Sequence, residues 1–563
     1  MLSIHSFVEE FKNRKLGQVT VFYLATAWVL LEVFSFFSQR YNLDSRLVDA
    51  FIIVALCGLP ATLIVRWHQS EEGGMLRRKR YVLILVSNFI VAIFFVYKVY
   101  QIPVKAAVSV ELTPPPDKSV AVLPFVNLSN DPNQEYFSDG LSEELLNLLS
   151  KIAELKVIGR TSSFSFKGKN EDLRTIGEKL GVANILEGSV QKEGNNIRVT
   201  AQLIRAADGF QLWSEKYDRD LKGIFNLQDE IAGAVVKQLQ LKLMSVPKSA
   251  ASQTNIEVHK LLLQGNYFWD RGGAENYNKA DEFYNQALAI DSGNARIWAA
   301  MTKVKITRAV SSYKDYHVNF NKAKECAARA ILLDSQLPEA HRVMGVIMMF
   351  YDFDWQGAER EYGRALELEP GNSDTYRNLA QLENILGRYE AAVVHFEKAL
   401  ELNPLNWLTI SNLANTLLLM SKHEEAIRIF KNGMELNPQG ANQGLAYAYL
   451  VSNKPQQTLE QLETIPNGSY KTYLSAMAYH ELGRRKEAKE SFDKVLLEYK
   501  NGSYRIAQIY AFMNQKDKAF RWLEKAYSEK YFMWVLKTDY LLTNLRGDPR
   551  YIDLLRRMNL PLD

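Results

Sequence analysis

The strongest constraint on this chain is a spacing. The segments ALELEP (365–370), ALELNP (399–404) and GMELNP (433–438) end in Pro370, Pro404 and Pro438, each 34 residues after the one before. A period of that length is one supersecondary unit copied along the chain, because a single helix or strand cannot generate it. Small residues recur at Ala280, Ala323, Ala358, Ala392 and Ala426, and again seven residues later at Ala287, Ala330, Ala365, Ala399 and Gly433. Large residues lie between them at Tyr284, Tyr362, Phe396 and Phe430, and turn residues recur at Gly387, Ser421 and Gly483. A small residue lets two helices approach closely, and the aromatic fills the gap to the next pair. No such pair buries its apolar face alone, so stacking must supply one continuous core.

The period and these positions resemble tetratricopeptide repeats, and the pattern extends with shorter periods. Thr458/Leu462, Ala488/Phe492 and Ala519/Leu523 mark further second helices, with Tyr449, Tyr479 and Tyr510 on their first helices. The count is about eight helix pairs over 255–535, the second pair carrying an insertion at Tyr313–Asn319. The segment 536–563 is then expected to cap the open end of the stack. The resemblance implies a concave face lined by first helices that binds protein or peptide partners. Arg377, Asn378, Gln381, Asn412 and Asn415 are the candidate contacts there, since Asn378 and Asn412 occupy the first-helix asparagine position of such repeats.

The beginning of the chain has a different character. Three apolar stretches, 16–37, 48–65 and 81–100, make residues 1–100 a candidate three-helix transmembrane anchor, since about 20 apolar residues cross a bilayer core. Glu32 falls inside the first stretch, near its outer end. Lys and Arg are concentrated in the N-terminal tail and the 66–80 loop. That bias places the N-terminus in the cytoplasm and the later domains outside it. The expected location is therefore a membrane, multi-pass, with lipid contact and the C-terminal domains outside the cytoplasm.

A linker at 101–117 follows, with Pro114, Pro115 and Pro116 favouring an extended spacer. Residues 118–245 then read as one α/β domain. Strands are expected at Ser119–Phe125 and Lys156–Ile158, and helices at Gly140–Leu155, capped by Asp139 or Ser142, and at Asp172–Leu180. A hairpin follows around Glu193–Asn196, then a strand at Gln211–Tyr217 and a closing helix at Asn226–Leu243. The segments KSVAVLPFVNLSNDPNQEYFSDGLSEEL (118–145), VIGRTSSFSFKGK (157–169) and LGVANILEGSVQKEGNNIRVTAQLI (180–204) resemble the TolB-like amino-terminal domain found in bacteria beside tetratricopeptide repeats. The starts FKNRK (11–15) and FYLATAWVLLE (22–32) also resemble that group, and the resemblance implies a bacterial inner membrane with periplasmic C-terminal domains.

Chemistry finds little footing. The two cysteines, Cys57 and Cys326, form no framework, and the eight histidines show no H-x-x-x-H spacing, so no metal site is expected. Lys167-Gly168-Lys169 lacks the spacing of a phosphate-binding loop. Asp139, Glu143, Glu144 and Glu187 lack partners at a catalytic spacing and are read as capping and fold-holding groups. A net charge of +4 implies no nucleic-acid partner. The expectation is a multidomain, non-enzymatic scaffold without cofactor, with a second copy of the chain as a further candidate partner. The competing expectation is a signalling component that relays an envelope signal through the spans to a separate effector. Only about 15 residues precede the first stretch, fewer than a folded output domain needs.

Overall fold

The computed structural model describes residues 16–40, 52, 55, 116–240, 255–311, 315–498 and 502–562. The chain divides into two compact units, Met1–Leu112 and Thr113–Asp563. In the first, Leu16–Arg40 forms a helix of 25 residues, α1. The Tyr23 hydroxyl donates to the Ala55 carbonyl at 2.8 Å, and the Thr26 hydroxyl bonds back to the Phe22 carbonyl. Gln18, Thr20, Thr26 and Glu32 interrupt the apolar run. Among the described residues no helix is long and apolar enough to cross a membrane. That finding overturns the expected transmembrane anchor, the multi-pass inner-membrane placement and the lipid contact; counting run length passes over such polar side chains. The expected spans at 48–65 and 81–100 lie outside the described residues.

The second unit opens with a sheet. Its strands are β1 (Ser119–Val122), β2 (Val126–Asn127), β3 (Lys156–Val157), β4 (Asn184–Glu193), β5 (Asn196–Arg205) and β6 (Gln211–Asp220). The order is β3-β1-β4-β5-β6, with β2 continuing beside β4. Pairing is parallel from β3 to β4 and antiparallel from β4 to β6. The α/β domain is thus built on a mixed sheet, which does not carry the expected TolB-like fold, and burial explains the division between parallel and antiparallel pairing. β1 is buried along its length. Val120 and Val122 face a layer made by α2 (Glu135–Ser150) and α5 (Ile224–Gln238). Ala121 and Leu123 face the opposite layer, where α4 (Leu173–Leu180) supplies Ile176 and Leu180. The outer face of β5 and β6 has no such cover; Arg198, Lys216 and Asp218 are exposed on it.

α2 starts at Glu135, ahead of the expected Gly140. Asp131 accepts the Asn133 N–H and caps a 3₁₀ turn, Pro132–Gln134, which runs straight into the helix. Asp139 and Ser142 therefore lie inside α2 and cap nothing. The buried Ser142 hydroxyl accepts the Phe125 N–H at 2.8 Å and donates to the Ser138 carbonyl.

Among the described residues eight helix pairs follow: α6 (Ile256–Arg271) with α7 (Ala274–Ile290), α8 (Ala295–Ser311) with α9 (Tyr316–Leu333), α10 (Pro338–Ile347) with α11 (Trp355–Leu368), α12 (Ser373–Leu386) with α13 (Tyr389–Leu402), α14 (Trp407–Leu419) with α15 (His423–Asn432), α16 (Pro438–Val451) with α17 (Pro455–Glu463), α18 (Ser469–Glu481) with α19 (Arg485–Glu498), and α20 (Ser503–Phe512) with α21 (Lys516–Ser528). Ala280, Ala323, Ala358, Ala392 and Ala426 are all fully buried at the crossings. Gly265 and Gly345 admit the rings of Tyr284 and Tyr362 so closely that an added Cβ would lie 2.2 and 2.6 Å from them. First helices of successive pairs pack on one another along most of the stack, whereas second helices of successive pairs are farther apart. The stack therefore curves with the first helices on the inside.

Antiparallel pairing gives the stack two edges. The turns inside each pair lie on one edge, and the loops between pairs lie on the other. The α/β domain docks on the between-pair edge. Two 3₁₀ turns, Met533–Thr538 and Tyr540–Leu545, then α22 (Pro549–Arg557), close the chain on the in-pair edge. There Leu536, Leu542, Leu545, Leu554 and Met558 share one core with Trp355, Leu386 and Tyr504.

Candidate functional site

The inner face begins where the α/β domain meets the first repeat. Arg160, at the start of the short helix α3 (Arg160–Phe164), lies 2.7 Å from Asp270 of α6 and 3.3 Å from Glu143 of α2. Burial pushes the Asp270 carboxyl above the usual carboxylate range, and the Glu143 charge adds to it against the pull of Arg160. Lys303 of α8 lies 3.7 Å from Glu339 of α10 and stands 4.5 Å over the Trp269 ring. Glu339 pairs with Arg342 at 2.7 Å, and one repeat on Asp374 pairs with Arg377 at 3.1 Å. Burial opposes the charge on Glu339, yet Arg342 and Lys303 outweigh it and hold the carboxyl below its ordinary value. Asp374 is likewise held low, by Arg377 and Arg342 against burial. The result is a ladder of four acids and four bases that starts on α2 and α3 and runs along α6, α8, α10 and α12.

Beyond Arg377 the wall changes from charges to amides. Gln381, Asn412 and Asn415 are half-buried on α12 and α14, which pack together. The Asn412 carbonyl accepts the Thr416 hydroxyl at 2.8 Å, and the Asn384 side-chain N–H donates to Thr416 at 2.7 Å. Asn378 is only 3% exposed, and its amide nitrogen has no hydrogen-bond partner among the described residues. The structure thus brings Arg377, Gln381, Asn412 and Asn415 to one wall and sets Asn378 behind it. The acid–base ladder escaped the sequence reading, although a signal exists. Glu339-x-x-Arg342 and Asp374-x-x-Arg377 repeat the same three-residue spacing 35 positions apart, which puts both pairs at one repeat position on the first helices.

The docked edge combines apolar packing, with Leu263, Ile256 and Tyr267 of α6 against the sheet domain's core and Leu405 on its other layer, with a set of polar contacts. Asn403, in the loop after α13, accepts both the backbone N–H (3.0 Å) and the hydroxyl (2.5 Å) of Ser162. The same hydroxyl oxygen accepts the Leu405 N–H at 2.8 Å, and the Gly159 N–H donates to the Leu402 carbonyl at 2.7 Å. Ser150 donates to Glu369 at 2.8 Å. Glu144 of α2 pairs with Arg296 of α8 beside His259 of α6. Burial carries the His259 imidazole down to about 4. A cleft of about 520 Å³ opens along this seam, lined by Lys118, Lys156, Lys398, Glu154 and Glu401 among others. Its amines are engaged: Lys118 with Glu154, Lys398 with Glu401, and Lys156 with the Gly181 carbonyl. Among the described residues no group of three His, Cys, Asp or Glu side chains is arranged to hold a metal ion.

Family models match three parts of the second unit. Tetratricopeptide-repeat models match residues 373–406, 395–428, 473–501 and 502–530. The helix pairs in these ranges are tetratricopeptide repeats. Over 116–234 the match is to the second domain of HilA/YgeH-like transcriptional regulators, which replaces the expected TolB-like assignment. A Rhizobium meliloti (strain 1021) protein named "Putative adenylate cyclase 3" is 35% identical over 243 residues, 42% of this chain and 41% of that relative. The match thus spans about two fifths of that relative's length. Among solved structures, a tetratricopeptide repeat protein from Parabacteroides merdae ATCC 43184 is 15% identical, covering 47% of this chain and all of that one, with a TM-score of 0.35. Pseudomonas aeruginosa pilF is 18% identical, covering 38% of this chain and 97% of that one, with a TM-score of 0.29. The repeats suggest a protein-interaction scaffold, and their fold a non-catalytic one.

Proposed function

We propose that this chain is a scaffold whose inner repeat wall grips an extended segment of a partner protein. The observation that carries the reading is the change along the wall from a self-neutralised charge ladder to Gln381, Asn412 and Asn415. Amides at successive first helices can hold a peptide backbone through its own N–H and C=O groups, whatever the sequence. Arg377 at the boundary adds a contact for an acidic side chain or a chain terminus. The names carried by the relatives support a recognition role. A family model named for transcriptional regulators and a relative named "Putative adenylate cyclase 3" both match, so the chain's likeness extends to proteins named for different outputs. A relay through membrane spans is set aside with the spans themselves.

The test places a photo-crosslinking residue at Gln381 or Asn415 in the full chain, with Val394, exposed on a second helix, as the control. Crosslinks to one protein segment from the inner positions only, lost in Arg377→Glu/Asn412→Ala, are the expected outcome. Equal capture from Val394, or cyclic AMP formation from ATP by the purified chain, overturns the proposal.

A further inference from the structure

Among the described residues, β6 is the last strand of the sheet and nothing pairs with its outer side. It is ten residues long, and only Tyr217 along it is fully buried. Such an edge offers a row of free N–H and C=O groups to any strand that can lie beside it. Which residues offer them follows from the β5 pairing. The Leu221 N–H donates to the Asn195 carbonyl at 2.7 Å, and the register runs Ile197↔Arg219, Val199↔Tyr217 and Ala201↔Glu215. Odd-numbered residues of β6 therefore bond inward, and Ser214, Lys216, Asp218 and Asp220 turn their backbone groups outward.

The charges along this edge read as a self-complementary word: Glu215, Lys216, Tyr217, Asp218, Arg219. Laid antiparallel against itself about Tyr217, it sets Lys216 opposite Asp218 and Glu215 opposite Arg219, each twice. Outward residues then face outward residues, so the two strands exchange backbone hydrogen bonds in correct phase. Sliding the register by one residue breaks that phase and turns side chains to the wrong faces. Sliding the two-fold to Lys216 or to Asp218 puts like charges face to face, which is unfavourable across a strand pair. One register satisfies both backbone and charge.

We propose that β6 is a homodimerisation edge, joining two copies across a two-fold axis into one continuous sheet. The contact is isologous, as closed dimers require. On the open face Arg198 already lies 2.6 Å from Asp218, so the second copy's Lys216 completes a row of cation, anion and cation. In the isolated chain the Arg219 guanidinium covers the Asp218 carbonyl at 3.1 Å. Its other terminal nitrogen stays with Glu230 at 2.8 Å; on pairing, the nitrogen that leaves the carbonyl turns to the second copy's Glu215, which also accepts its own Tyr217 hydroxyl, while the carbonyl takes a backbone N–H from the second copy.

Sedimentation of the full chain over a concentration series gives the dimer constant, and three variants test the edge. Lys216→Pro removes one outward N–H without touching the bonds to β5 and abolishes the dimer. Lys216→Glu, which twice opposes Asp218 with a like charge, weakens dimerisation by about tenfold or more, whereas Lys237→Glu, exposed on α5, leaves it unchanged. In Glu215→Cys/Arg219→Cys the two positions are too far apart within one strand to bond. Across the two-fold they form non-hydrogen-bonded pairs with Cα atoms about 4.5 Å apart, within disulfide reach. Mild oxidation then yields a covalent dimer that reductant reverses. A chain that sediments as a monomer at every concentration overturns the proposal. So does a dimer that ignores both Lys216 substitutions and gives no crosslink from the cysteine pair.

Discussion

The two edges of the repeat stack share apolar packing and differ in the polar contacts laid over it. On the between-pair edge the α/β domain is fastened by Asn403 to Ser162, Ser150 to Glu369, and Glu144 to Arg296. On the in-pair edge the chain's last segment is fastened by apolar burial. Phe350 meets the Trp534 ring edge-on at 4.8 Å, and Trp355 packs among Leu554, Met558 and Leu560. Polar seams depend on every donor finding its acceptor and respond to pH; apolar seams depend on volume and do not. The difference teaches that one stack can carry two junctions whose stabilities answer to different changes, one to the loss of a hydrogen-bond partner and the other to the loss of packing volume.

The largest test breaks the apolar edge. Trp355→Ala removes a nearly buried indole and its hydrogen bond to the Met558 carbonyl. Denaturant unfolding should show a loss of about 3–5 kcal/mol, with amides of 533–560 exchanging faster than those of 159–165. Next comes pH at the polar edge. His259 is neutral in the fold with its value down at about 4 against an ordinary 6.5. Its unfolded form therefore takes up a proton first as pH drops below about 6.5, and stability falls until about 4. The shift corresponds to roughly 3 kcal/mol over that window. His259→Leu should flatten this part of the profile while Trp355→Ala leaves its shape intact.

Asn403→Ala should cost about 1–3 kcal/mol, because the Ser162 N–H is left buried without an acceptor. Exchange should rise at 159–165 and not in the closing segment, the reverse of Trp355→Ala. Combined, the two substitutions should add to within about 0.5 kcal/mol, since they share no partner. A larger coupling, read from the double-mutant cycle, would mean the edges sense one another through the helices. Smallest of all, Lys398→Ala removes an exposed pair with Glu401 and should change stability by less than about 0.5 kcal/mol.

Much of the repeat region was legible because its physics is local and periodic. Ala280, Ala358 and Ala392 are small since two helices cross there, and each pair repeats the same demand. The candidate wall was legible in part, through the repeat positions of Asn378 and Asn412. That Asn378 is sealed while Asn412 is half-open depends on side chains brought in from neighbouring helices. The first helix of the α/β domain was placed late because Asp131 caps it through an intervening 3₁₀ turn, which a search for one capping residue next to an apolar run does not see. The membrane anchor failed for a related reason, run length being counted without regard to the polar residues inside it.

What the sequence determined by itself is therefore the stack: its period, its small and large positions, and the turn residues that close each pair. Tertiary structure decided what lies on the stack. Ser162 finds Asn403 across 241 positions of chain, and Trp355 finds Met558 across 203. Asp539 is buried against Tyr504 and Gln508 of the last helix pair, 2.9 and 2.5 Å away. Neither residue type nor spacing announces such partners, because curvature accumulates from small rotations at every pair and only their sum returns the chain to its own edge.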